Sequence, residues 1–326
     1  MRAILRKTYG SADVLFEGEV PTPSPRGHQV LVRIHAVSIN GSDKEALVGK
    51  PAYARMGGVR APRHPILGSD IAGTVEGVGD AVTEFTRGDE VFGELPGYYG
   101  GLAEFACAAE GLLIPKPRSL SFEAAAAIPQ GGVIAYRAII SKGKVSRGQH
   151  VLINGAGGGA GTFAVQLAKH CGAEVTAVDR ADKLDMLQSL GADHVIDYRT
   201  EDFTHGAKRF DLILDVIASR SVFRYPRVLT SGGTYFCVGG AVPVMLQSVV
   251  FGGIIRAMTG KSIRVLVVPQ NRADLLAITS LCERGTVRPV IDRIYDFSEA
   301  REALRRVAEG SHRGKVVVSG IAASPA

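Results

Sequence analysis

The run Val151-Leu-Ile-Asn-Gly-Ala-Gly-Gly-Gly-Ala-Gly161 constrains this chain more than any other stretch. It follows a short apolar run, His150-Val-Leu-Ile-Asn, and precedes a helical pattern at Thr162–Cys171. A strand that turns on glycine into a helix presents free backbone amides at the helix N-terminus, where phosphates bind. Read in the dinucleotide register the motif is A-x-G-x-x-G, with Ala156 in place of the first glycine. Gly158, with Gly159 beside it, lets the backbone approach a pyrophosphate, and Gly161 allows close helix–strand packing. A flexible glycine linker is the alternative, but it explains neither the flanking elements nor Asp179 at the end of the next strand. Asp179 suits the ribose hydroxyls of NAD(H). Arg180 and Lys183 are close enough in sequence to hold the 2′-phosphate of NADP(H), with Tyr198 after the third strand stacking or hydrogen-bonding beside it. Both cofactors stay open here, with a lean to NADPH.

Strands and helices alternate around that loop. Glu174–Asp179, His194–Asp197, Asp211–Val216, Thr234–Val238 and Ile263–Val268 are further apolar runs separated by helical patterns such as Lys183–Leu190. Six strands in that rhythm predict an α/β fold with a doubly wound parallel Rossmann sheet over 122–268. The preceding residues carry glycine and proline every eight to twelve positions, as in a small β-barrel. Ser121 is placed to cap an alanine-rich helix. The tail holds helices at Arg272–Glu283 and Ser298–Glu309 and a strand at Gly314–Val318, too little to stand alone. It is expected to pack with the N-terminal part, giving a discontinuous domain of 1–121 and 269–326.

Composition closes other routes. With 6% aromatics, no Trp and scattered charge (net +6), no stacking platform or basic helix supports nucleic-acid binding. Arg2, Arg6 and Lys7, and likewise Arg301, Arg305 and Arg306, are expected on solvated faces. The four cysteines are far apart, so neither a zinc cluster nor a secreted disulfide framework is indicated. The N-terminus has no apolar leader, and a cytoplasmic protein with no membrane partner is expected. The uncharged stretch Val238–Ile255 is taken as a strand end followed by a buried core helix, because glycines and Pro243 interrupt it.

The landmarks Ser38-Ile-Asn-Gly-Ser-Asp43, Pro65-Ile-Leu-Gly-Ser-Asp-Ile-Ala-Gly-Thr-Val-Glu-Gly-Val-Gly79, Gly88-Asp-Glu-Val-Phe-Gly93, Gly101-Leu-Ala-Glu-Phe105, Leu190-Gly-Ala-Asp-His-Val-Ile-Asp-Tyr198 and Arg313-Gly-Lys-Val-Val resemble a medium-chain dehydrogenase/reductase. Together with the glycine loop they cover nearly the whole length and are most similar to the zinc-independent quinone oxidoreductase-like branch. The resemblance implies a GroES-like catalytic domain made from both chain ends, clasping a Rossmann domain with the active site in the cleft. In zinc alcohol dehydrogenases the ligand positions correspond to Asn40, Ser69 and a residue near Ile128-Pro129-Gln130. None of these is cysteine or histidine here, and Asp70 alone cannot hold Zn²⁺, so no metal is expected.

Without a Lewis acid, acceptors that delocalise the arriving charge are favoured, namely quinones and α,β-unsaturated carbonyls. The resemblance places Asn40 beside the nicotinamide, to hold the ribose or polarise the acceptor oxygen. Ser42 and Asp43 line the same loop, Asp43 equally suited to capping a turn. Tyr53 is offset from the proton-donating tyrosine of related enoyl-thioester reductases, so it is a catalytic candidate with an imperfect match. Gln130 falls in the segment under the nicotinamide, Val238, Gly239 and Gly240 meet its carboxamide, and Asn271 and Lys315 approach the cofactor from the C-terminal piece. A homodimer is implied as well. An enoyl-thioester or natural-product tailoring reductase, and a dinucleotide-binding regulator without turnover, are the alternatives.

Overall fold

Stretches of chain nearly 300 residues apart lie side by side in the first sheet. The computed structural model describes residues 1–55 and 58–321. In chain order, β1 (Arg2–Leu5), β2 (Phe16–Glu19) and β3 (Gln29–Ile39) lead to α1 (Gly41–Val48). Then come β4 (Asp70–Val78), β5 (Glu90–Glu94), β6 (Phe105–Ala109), β7 (Leu113–Pro115), α2 (Phe122–Ala126) and α3 (Pro129–Tyr136). The middle of the chain gives β8 (His150–Asn154), α4 (Gly159–His170), β9 (Glu174–Asp179), α5 (Leu184–Ser189), β10 (His194–Asp197), β11 (Phe210–Asp215), β12 (Leu229–Cys237), α6 (Val242–Thr259) and β13 (Ser262–Val265). Last are α7 (Arg272–Glu283), β14 (Ile291–Asp296), α8 (Ala300–Glu309) and β15 (Lys315–Ser319).

Two compact units result. The first comprises Met1–Gln130, Gln270–Glu283 and Pro289–Ala326, and the second Gly131–Pro269 with Arg284–Arg288. The first unit's large sheet runs β14-β15-β3-β4-β5-β7, with β6 on β3. Val316, Val317 and Val318, all 0% exposed, pair antiparallel with Ile39, Ser38 and Val37, which is why the tail cannot fold apart from the N-terminal strands. Along β3, Val30, Val32 and Ile34 alternate into the core at period two. The expected boundary after residue 121 moves to Gln130. Ser121 does cap α2, accepting from the Ala124 amide at 3.2 Å, but Ala125 and Ala126 are 0% exposed and the Phe122 ring lies 4.4 Å from that of His35 on β3. Small side chains let this helix pack on the barrel, so it belongs to the first unit.

The second unit is a six-stranded sheet of order β10-β9-β8-β11-β12-β13, every pairing parallel. That order is the doubly wound one, reversing direction at β8, and ligands bind at the carboxyl ends of strands at such a reversal.

Two further expectations fail. Arg6 is 2% exposed rather than solvated, its guanidinium donating to the carbonyls of Ala46 and, at 3.3 Å, His64. A helix C-terminus leaves carbonyls without intrahelical donors, and Arg6 fills that need at the end of α1. Nor is α6 a fully buried core helix. Val244, Ser248, Gly252 and Ile255 are buried, but Leu246, Val249, Val250, Ile254 and Met258 are 55–80% exposed. Gly252 explains the seating: a Cβ there would come 2.3 Å from the Ile263 carbonyl, so only glycine lets α6 lie so close on β13. By length and composition α6 is the one helix among the described residues apolar enough to cross a membrane.

Candidate active site

In the second unit the chain leaves β8 through Gly155, whose φ of +80° is the left-handed region open to glycine. Gly158 is the N-cap of α4, which begins at Gly159 rather than Thr162. A Cβ on Gly161 would sit 2.3 Å from the Gly155 carbonyl and 2.5 Å from the Ala156 Cα, so helix and loop pack with nothing to spare. Over Gly158, by contrast, the nearest atom to such a Cβ is 3.5 Å away. The first-turn amides of α4 have no intrahelical acceptor, and this open backbone beside them suits a pyrophosphate.

Asp179, 5% exposed, is already engaged by its own chain. Its carboxylate accepts from the Gly157 amide at 2.7 Å and the Arg180 amide at 2.9 Å, and the Lys183 ammonium is 3.6 Å away. Lys183 is 4% exposed and passes over Gly157, where a Cβ would meet its Cδ at 2.5 Å. Arg180 forks onto Asp182 at 2.9 and 2.7 Å, an exposed pair, and Tyr198 is 37% exposed beyond β10. Val238 donates to the Asp215 carbonyl, and Gly240, φ +117°, bridges in parallel with Ala218, whose carbonyl a Cβ would strike at 2.2 Å.

The end of the sheet is locked by Asp215, 0% exposed. One oxygen accepts from Asn154 at 2.7 Å, the other from Tyr225 at 2.6 Å and Tyr235 at 3.1 Å. Burial pushes the carboxyl up from its ordinary value while these donors oppose the shift. The sequence offered one sign of it: an aspartate closing the otherwise apolar strand end Leu-Ile-Leu.

The first unit holds a second polar centre. The ammonium of Lys315, 1% exposed, donates to Asn40 Oδ1 and to Asp70 Oδ2, the latter at 3.3 Å. Asn40 is 6% exposed, and with its oxygen committed to Lys315 its Nδ2 has no partner. Such a buried donor is costly unless a ligand meets it. Asp43 is the structural residue of that loop: it accepts from the Asn40 and Gly68 amides, each at 2.8 Å, and burial raises it to about 6. Gln130 ties the centre together. Its amide N–H donates to Asp70 at 3.1 Å, its Nε2 to Glu94 at 3.3 Å, and its Oε1 accepts from Ser42 at 3.1 Å.

In the sequence, Glu94 belongs to no motif that marks it. It ends β5 and stands directly opposite Asp70 in the β4–β5 register, a proximity that only the topology reveals. Tyr53 lies outside the cluster: 41% exposed, it donates to Glu45 at 2.8 Å. Asn271 caps α7, accepting from the Asp274 amide at 2.9 Å and donating to its carboxylate at 2.7 Å.

Comparison with known proteins agrees with both units. Residues 26–118 match the alcohol dehydrogenase GroES-like domain, 127–221 the alanine dehydrogenase/PNT C-terminal domain and 190–318 a family described as zinc-binding dehydrogenase. The chain is 33% identical to a 2-methylene-furan-3-one reductase of Solanum lycopersicum, over 98% of this chain and 79% of that protein. It is 30% identical, with the same coverage of both, to a chloroplastic NADPH-dependent alkenal/one oxidoreductase of Arabidopsis thaliana. The quinone oxidoreductase of Coxiella burnetii superposes with a TM-score of 0.86 at 28% identity, covering 98% of this chain and 99% of that one.

Proposed function

Because the chain belongs to the medium-chain dehydrogenase/reductase family, in its quinone oxidoreductase-like branch, we propose that it reduces quinones or α,β-unsaturated carbonyls with NAD(P)H and without zinc. NAD(P)H supplies a hydride, and the residues of this chain bind, orient and manage protons. The glycine loop and first turn of α4 hold the pyrophosphate. Asn40 turns its unpartnered Nδ2 toward the oxygen that gains charge, or toward the nicotinamide ribose. A preoriented donor of this kind stabilises an enolate or hydroquinone anion without reorganising.

The observation that carries the reading is the Lys315 ammonium on Asn40 and Asp70. Where zinc relatives place ligands, this chain has the Asn40 amide, the Ser69 hydroxyl and the segment ending in Gln130, with the Asp70 carboxylate beside them and the Lys315 ammonium already on it. That donor set does not fit Zn²⁺, which needs soft or imidazole ligands, and the ammonium repels a second cation. Among the described residues no three His, Cys, Asp or Glu side chains group for a metal.

For the cofactor we favour NADPH. Asp179 already accepts two backbone amides, one on each oxygen, and its charge is balanced by Lys183, so it is less available to ribose hydroxyls and does not strongly repel a phosphate. Arg180 can exchange the exposed Asp182 for a 2′-phosphate at little cost. A homodimer is also proposed, its surface the open edge of β13 with the apolar stripe of α6. The test of function is oxidation of NADPH and NADH with phenanthrenequinone and with a conjugated enone, chelator present. Turnover that survives chelation with NADPH ahead of NADH is expected. Failure with both acceptors, or loss on chelation, overturns the reading.

A further inference from the structure

Asp70 and Glu94 face each other across an antiparallel strand pair, in matched register. Cα atoms so paired are within about 5.5 Å, and two carboxylates there destabilise the sheet unless something neutralises one. Among the described residues the ammonium that hydrogen-bonds Asp70 is that of Lys315, and the Asp43 carboxyl acts on the same two groups, so the acids outnumber the base and a proton is needed to balance the set. The two acids differ in access. Asp70 is 0% exposed, whereas Glu94, at the end of β5, is only partly buried. The loop that follows β5 is held in unusual form: Tyr98 adopts φ +67°, and Gln270 fixes it by donating to the Leu95 carbonyl at 2.9 Å. Tyrosine is rarely left-handed, and such strain persists only where its surroundings impose it.

Resting on the reductase reading above, we propose that Glu94 is the acid that delivers the proton completing reduction of a conjugated carbonyl. The β-carbon of the enone takes a hydride, and the π electrons move onto the carbonyl oxygen as an enolate. The enolate then forms a C–H bond at its α-carbon as the O–H bond of Glu94 breaks. Glu94, now a carboxylate, regains a proton from water through its exposed side. With a quinone the same proton goes to an anionic oxygen, giving the hydroquinone.

The groups that face Glu94 explain why it holds its proton. From β4 comes the charge of Asp70, from the following loop Tyr98, from the start of α3 the Gln130 amide, from before α7 Gln270, and from β15 Lys315. Burial, then Asp70, raise the Glu94 carboxyl to about 8, and the two amides and the ammonium only partly oppose them. A carboxyl near the working pH is well matched to general acid catalysis. Gln130 donates to both acids and is itself oriented by Ser42, so the pair is held in one geometry.

The test compares the full chain with E94Q. Infrared difference spectra without cofactor are expected to show a protonated-carboxyl band titrating with a midpoint near 8, missing in E94Q. With a conjugated enone, kcat of E94Q should fall about 100-fold, and the alkaline loss of rate with its midpoint near 8 should disappear, at unchanged NADPH affinity. Equal rates and equal pH profiles in the two proteins overturn the proposal, as does a wild-type protein with no such band. If E94Q fails to fold, the band and the pH profile of the wild type still decide it. A wild type that reduces neither enone nor quinone sinks the reductase reading and this step together, whereas turnover unaffected by E94Q sinks the step alone.

Discussion

Asp215 in the second unit and Asp70 in the first are both 0% exposed, yet they are satisfied by different chemistry. Asp215 is enclosed by neutral donors, an amide and two stacked phenols whose rings lie 3.9 Å apart. Every lone pair it directs at a strand end is met, and nothing mobile is left over. Asp70 has an ammonium on one side and a second acid on the other. Its surroundings balance only by keeping a proton on Glu94, and the adjoining Asn40 keeps a donor without a partner. The closed arrangement anchors structure. The incomplete one can exchange protons and bind.

Substitutions break the comparison in graded fashion. K315M leaves Asp70 and Glu94 opposed without a cation, and is expected to cost about 3–5 kcal/mol in chemical denaturation and to abolish turnover. A K315M/D70N double variant should recover most of that stability but none of the activity, since the orienting ammonium is gone. D215A strands three buried donors and should cost about 3 kcal/mol with kcat per folded molecule nearly unchanged, the signature of an anchor. An equal loss of kcat in D215A would erase the contrast between the two sites.

Thermal unfolding against pH sharpens the same contrast. A carboxyl raised to about 8 in the folded state binds more protons than in the unfolded chain, so its contribution to stability is full below its ordinary range. That contribution is lost as pH climbs to about 8. The Tm of E94Q relative to wild type should therefore rise across this window, and a flat difference would contradict it. Smaller effects are expected from R180A, about a tenfold higher KM for NADPH with little change for NADH. Y53F is the smallest, a rate change of about twofold or less, because its hydroxyl meets Glu45 at a half-exposed position.

Features set by neighbours in sequence were legible before the structure. The β8, β9 and β10 runs, the limits of α7, the Ser121 cap and the strand–glycine–helix unit follow from local periodicity and turn chemistry. What depended on partners distant in sequence was not. Nothing near Arg6 announces the carbonyls at the end of α1, and nothing near Lys315 announces Asp70. The apolar pattern of Met245–Ile255 indicates a helix but not which side is covered, and the structure leaves Leu246, Val249, Val250 and Ile254 bare. Glu94 was hidden for the same reason, since its meaning lies in the register of β5 against β4.

The placement of Lys315 in the final strand also bears on how the molecule is made. Residues 131–269 form the second unit almost without interruption and can fold as they leave the ribosome. The acids of β4 and β5 emerge far earlier than the base that balances them. Until β15 inserts beside β3, the nascent barrel lacks both a strand and the buried ammonium that pairs with Asp70. Assembly of the Asp70–Glu94–Lys315 cluster is thus a late event in biosynthesis, and the newborn chain has most of its nucleotide-binding unit before these acids meet their base.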